Sequence, residues 1–149
     1  MRAHRLLIIF PLGLLATSFF FDVAWLVNER EPLARAAAVM LAGGVFSGAF
    51  AALFGIADWR AIPEGTRAKR IGAMHGIGNV IVILLFAASW IVRRNEPAEP
   101  HAFAIALSAG GVLLTLGTAW LGGTLIERAD RGENEDRRES LSPTSTAVR

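Results

Sequence analysis

The chain contains no cysteine, which removes disulfides, thiolate metal sites, cysteine-ligated iron–sulfur clusters and cysteine nucleophiles together. Redox chemistry in such a chain requires a bound cofactor. Lysine is almost absent too: Lys69 is the only one, so the formal net charge of +2 rests almost wholly on arginine. There is no phosphate loop, no dinucleotide fingerprint, no Gly-x-Ser-x-Gly elbow and no paired-histidine zinc helix. Hydrolase and nucleotide-binding activities therefore have no motif to rest on.

What is abundant is apolar side chain. At 149 residues the length fits one domain, but 53% hydrophobic residues and a mean hydropathy of +0.44 are too apolar for an ordinary soluble domain. Apolar runs near 6–27, 33–56, 71–92 and 102–126 each reach the roughly 20 helical residues needed to cross about 30 Å of hydrocarbon. Backbone groups in lipid must be satisfied internally, and no alternating barrel pattern is present, so the runs are expected to be helices. The predicted fold is an all-α integral membrane four-helix bundle occupying residues 1–128. Breaks at Asn28–Pro32, at Asp58–Arg70 with Pro63 and Gly65, and at Arg93–Pro100 predict short hairpins.

The first run has a basic start, Met1-Arg2-Ala3-His4-Arg5, and a small-x-small Ala16-Thr17-Ser18 like a cleavage site. Its apolar stretch continues through Phe19, Phe20, Phe21, Val23, Ala24 and Trp25, so it is expected to remain as a membrane helix. Arg2, Arg5, Arg60, Arg67, Lys69, Arg70 and the basic tail residues fall on one side, against Arg30, Arg35, Arg93 and Arg94 on the other. By the positive-inside rule both termini are predicted cytoplasmic, in a bacterial cytoplasmic membrane. This placement favours anionic lipid over nucleic acid as the partner of the arginines. Trp25 and Trp90 mark the outer boundary, Trp59 and Trp120 the inner one. From Glu127 the chain turns to mixed charge and then Ser140-Leu141-Ser142-Pro143-Thr144-Ser145-Thr146, and residues 129–149 are expected to be a disordered cytoplasmic tail.

Small residues recur every four positions, as Gly44, Gly48 and Ala52 in helix two and Gly111, Thr115, Ala119 and Gly123 in helix four, with Gly72 and Gly76 in helix three. Lipid gives no hydrophobic drive for helix association, so these positions are expected to allow close backbone approach within the bundle. A homodimer face is the alternative.

Polar groups inside membrane helices ask for a partner or a function. At 100° per residue, His4, Pro11, Ser18 and Asp22 form one stripe on helix one, His75, Asn79 and Ser89 another on helix three, and Ser47 and Asp58 a third on helix two. Depth divides them into an inner layer of His4, Asp58, His75 and Asn79 and an outer layer of Asp22 and Ser89. Two imidazoles at one depth can ligate a haem iron, or a small metal site with Asp58 as ligand or orienting group. Asp22 can cap the outer end of the bundle by bonding Ser89 or nearby backbone, or accept protons along a water path. His101, at the outer start of helix four, reads as interfacial.

Phe10-Pro11-Leu12-Gly13-Leu14, Phe21-Asp22, Gly55-Ile56-Ala57-Asp58-Trp59, Ile62-Pro63, His75 with Asn79, and Trp120-Leu121-Gly122-Gly123 occur in this order across all four helices. The combination resembles the bacterial predicted-membrane-protein family called domain of unknown function 2231, over roughly residues 4–128. The family's opening histidine is commonly followed by proline, whereas His4 is followed here by Arg5. The resemblance implies a small four-helix membrane domain without an established activity. Some relatives are joined to Rieske-type iron–sulfur domains, and the family pattern falls on Asp22, Asp58, His75, Asn79 and Trp120. Three functions follow as expectations. The first is an accessory or structural subunit, not an enzyme, in a homo-oligomer or larger membrane complex. The second is a redox-associated subunit holding haem b or a metal ion through His75 and His4, and the third a small oligomeric proton or solute pathway through Asp22.

Overall fold

A computed structural model describes residues 2–120, with side chains from residue 7 onward. It contains α1 (Arg2–Asn28), α2 (Glu31–Arg60), α3 (Arg67–Arg93) and α4 (Ala102–Trp120), and no strand among the described residues. All four are long and apolar enough to cross a membrane. The expected all-α membrane architecture is therefore present. The predicted tail at 129–149 and the end of the fourth run lie outside the described residues.

The connections are tighter than the sequence breaks implied. Glu29 takes φ 50°, and its N–H donates to the Trp25 carbonyl at 2.7 Å, ending α1 in a left-handed cap. Pro32 then sits in the first turn of α2, where a missing N–H costs nothing because no intrahelical acceptor exists for it. The first break thus shrinks to Glu29 and Arg30. At the other end of α2, Gly65 adopts φ 76° and Thr66 caps α3 by accepting from the Lys69 N–H at 3.2 Å. The third expected break also shifts, because α3 continues through Arg93.

Leu15 of α1, Leu41 and Val45 of α2, and Val82 and Phe86 of α3 form the buried core, with Val112 and Leu114 of α4 packed against it. Two of the expected glycine contacts are close. A Cβ on Gly44 would lie 2.6 Å from the Leu15 side chain and 3.3 Å from its backbone N, and one on Gly111 would lie 2.7 Å from the Phe86 ring. A Cβ on Gly48 would make an ordinary contact with Pro11 at 3.6 Å, and one on Gly76 would meet nothing described within 4 Å. Close packing at the expected positions is therefore tightest at Gly44 and Gly111, a Cβ on Gly72 would lie 3.0 Å from the Trp59 ring, and Gly78, outside the expected set, would bring one within 2.9 Å of Thr118. Elsewhere large apolar side chains such as Phe20, Phe46, Phe50 and Leu113 point outward, the arrangement expected when the surrounding solvent is hydrocarbon.

Candidate functional site

The strongest polar constellation lies near the end of the bundle that carries the α1–α2 and α3–α4 turns. Asp22 is two turns from the end of α1, Ser89 and Arg93 are one turn apart at the end of α3, and Ser108 is two turns into α4. Antiparallel packing brings these positions to one level. Arg93 Nη1 donates to Asp22 Oδ1 at 2.6 Å and Nη2 to Oδ2 at 3.0 Å, a two-pronged pair in which both side chains are 0% exposed. Such a fork matches the planar guanidinium to the planar carboxylate and holds both in one orientation.

The serines complete the arrangement. Ser89 Oγ donates to the Ala104 carbonyl at 2.6 Å and accepts from Arg93 Nη2 at 2.9 Å. A hydroxyl has a single proton, so in the 2.9 Å contact between the two serines Ser108 must be the donor. Ser89 then uses its proton and both acceptor positions, and Arg93 reaches Ser108 only at 3.4 Å. Among the buried side-chain nitrogen and oxygen atoms of the described residues, Arg93 Nε alone lacks a partner. An ion pair this dry is a poor net source of stability but costly to break, since removing one member strands the other charge.

Asp22 was expected to cap the outer end through Ser89 or backbone. It does bridge helices there, but through Arg93, and Ser89 joins the same cluster by bonding Arg93 rather than Asp22. Arg93 itself was expected in a loop. A stripe calculation carried one turn further would have found it, because Arg93 follows His75 by five full helical turns and Ser89 by four residues. Ser108 carries a weaker signal, a hydroxyl two turns into an apolar run.

The expected inner layer is looser. Asn79 Nδ2 lies 3.0 Å from His75 Nε2, and because the amide nitrogen can only donate, Nε2 is the acceptor and the imidazole proton belongs on Nδ1. His75 lies on the same face of α3 as Val82, Phe86 and Arg93; these three are buried, whereas His75 is exposed. Asp58 is half-buried and joins His75 by neither hydrogen bond nor ion pair. The His4 side chain lies outside the described ones. No group of three or more His, Asp or Glu close enough to hold a metal ion occurs among the described residues. The expected Asp58–His75 pairing is thus absent, while His75 and Asn79 do meet. Trp120 is 72% exposed and His101 is exposed.

Lys69, grouped by sequence with the interfacial positive charges, is instead 8% exposed. Its Nζ donates to the Trp59 and Ile62 carbonyls, both at 3.1 Å, pairs with Glu64 at 3.2 Å and lies 4.2 Å from the Trp59 ring centre. Trp59 Nε1 returns a hydrogen bond to the Lys69 carbonyl at 3.0 Å. A cation at the C-terminal end of α2 offsets its dipole and satisfies carbonyls that have no helical partner. The role is to close the α2–α3 turn.

No curated protein and no solved structure matches the chain. A family model described as predicted membrane protein (DUF2231) matches residues 2–133, spanning every helix and both polar clusters. The chain belongs to that family of predicted membrane proteins of unknown function.

Proposed function

We propose that the protein is a non-catalytic accessory subunit of a bacterial cytoplasmic-membrane complex, with both termini on the cytoplasmic side. The observation carrying this reading is the full engagement of the buried Asp22 carboxylate by Arg93. The Asp22 carboxylate, the strongest candidate base within the spans, has both oxygens held by Arg93 at 0% exposure. A group held this way positions helices, and a proton or solute pathway through Asp22 would require it to exchange partners repeatedly. The outward apolar faces supply contact area for lipid or a larger partner. The test is gentle detergent extraction at native expression level, followed by quantification of co-purifying chains. A stoichiometric partner retained by His75→Ala supports the reading; a chain that isolates alone and conducts protons in proteoliposomes refutes it.

A second reading, a redox-associated subunit holding haem b or a metal ion, rests on His75. Its imidazole lies on the core-facing line of α3 and is nevertheless exposed, so a group entering that end of the bundle would meet it. A second ligand would have to come from outside the described side chains, for which His4 is the candidate. An absorption spectrum and metal analysis of wild type beside a His4→Ala, His75→Ala double variant decides it. Equal spectra without stoichiometric metal eliminate this reading.

A further inference from the structure

Charge is distributed unequally between the helix connections at the two ends of the bundle, among the described residues. From Asp22 to Arg35 and from Arg93 to Glu99, the end with the α1–α2 and α3–α4 turns carries four basic and five acidic residues. Two of those arginines are committed, Arg93 to Asp22 and Arg35 to Glu31. The α2–α3 connection from Asp58 to Arg70 carries four basic and two acidic residues. There Lys69 turns inward and its charge is matched by the exposed Glu64, leaving Arg60, Arg67 and Arg70 exposed beside a half-buried Asp58.

These arginines also lie at a common depth. Arg60 is the last residue of α2, Arg67 the first of α3, and Arg70 one turn further on. Helices that span hydrocarbon place such terminal residues among lipid phosphates. The Trp59–Lys69 bonds fix the turn between them, so the guanidinium groups are presented from a closed, short connection rather than a loose loop. Guanidinium engages phosphate in the two-pronged geometry that lysine cannot reproduce.

We infer that Arg60, Arg67 and Arg70 form a selective binding surface for the headgroups of anionic phospholipids. Zwitterionic headgroups offer the same phosphate but carry a neutralising amine, so selection comes from net charge, and it weakens as salt screens the surface. The inference is independent of whether the chain is an accessory or a redox subunit.

The experiment uses the full chain in detergent, titrated with phosphatidylglycerol, cardiolipin or phosphatidylcholine, with bound lipid counted by native mass spectrometry. Anionic lipids are expected to be retained over phosphatidylcholine. Each arginine replaced by glutamine should weaken that retention about fivefold, the effect of one basic residue near an anionic surface. Arg30→Gln and Arg94→Gln, at the opposite end, should leave it unchanged. Equal retention of all three lipids overturns the inference, as does loss through the Arg30 and Arg94 variants instead. Displacement of bound lipid by millimolar inorganic phosphate overturns it as well, since the site would then take a free ion. Because the three arginines are exposed, helix content by circular dichroism should not change; if a combined variant misfolds, the single variants carry the same readout.

Discussion

The two ends of the bundle use charge differently. At the end with two turns, Asp22 and Arg93 are 71 residues apart in sequence and join α1 to α3, with Ser108 adding α4. At the other end Lys69 and Trp59 are ten residues apart and join only α2 to α3. The charge pair specifies how non-consecutive helices assemble; the lysine–tryptophan contact closes a turn that chain connectivity already favours. Because charge in a membrane interior must be matched, the long-range pair restricts which helix arrangements are tolerable far more than apolar contact does.

Substitutions can break that contrast, the largest effect being expected at Asp22. Asp22→Ala strands the Arg93 guanidinium and should cost about 3 kcal/mol in a detergent unfolding titration, near the low end for broken buried pairs because Arg93 can swing toward headgroups. The Asp22→Leu, Arg93→Met double variant should recover most of the loss. If it is no more stable than Asp22→Ala, the pair is not what couples these helices.

Gly44→Ala should cost about 1–3 kcal/mol, since the new Cβ collides with Leu15 and the nearby α1 backbone limits relief. Gly13→Ala, where nothing described lies within 4 Å, should be neutral or slightly stabilising. Equal thermal shifts for the two would show that close α1–α2 approach does not depend on Gly44. Lys69→Met should cost about 1 kcal/mol by removing the bonds to the Trp59 and Ile62 carbonyls. Its signature is local, with amide exchange accelerating in the α2–α3 turn while the Asp22 end stays protected; uniform acceleration would erase the distinction between the ends. The smallest effect is expected from Glu29→Gly, a gain of a few tenths of a kcal/mol, since Glu29 occupies a left-handed cap that glycine adopts without steric cost.

The helices were readable because hydrocarbon thickness and backbone hydrogen bonding dictate long apolar runs, and stripe arithmetic located Asp22, Ser89, His75 and Asn79. Arg93 was misassigned for a physical reason: an arginine at the end of an apolar run resembles a loop residue unless its partner is known. The inward turn of Lys69 was not legible either, since positive charge at a helix boundary normally faces headgroups. Asp58 and His75 share a depth, yet depth does not determine which way a side chain points.

By itself the sequence determined the number of membrane-length helices, where the turns interrupt them, and the scarcity of groups able to do chemistry. These depend on local quantities, hydropathy summed along a run and residues that end helices. Only the tertiary structure decided that Arg93 belongs to Asp22, that Ser108 completes the cluster, and that Lys69 turns inward. Each of those choices compares partners supplied by separate stretches of chain, and it is settled when packed helices bring one partner within bonding distance and exclude water from the pair.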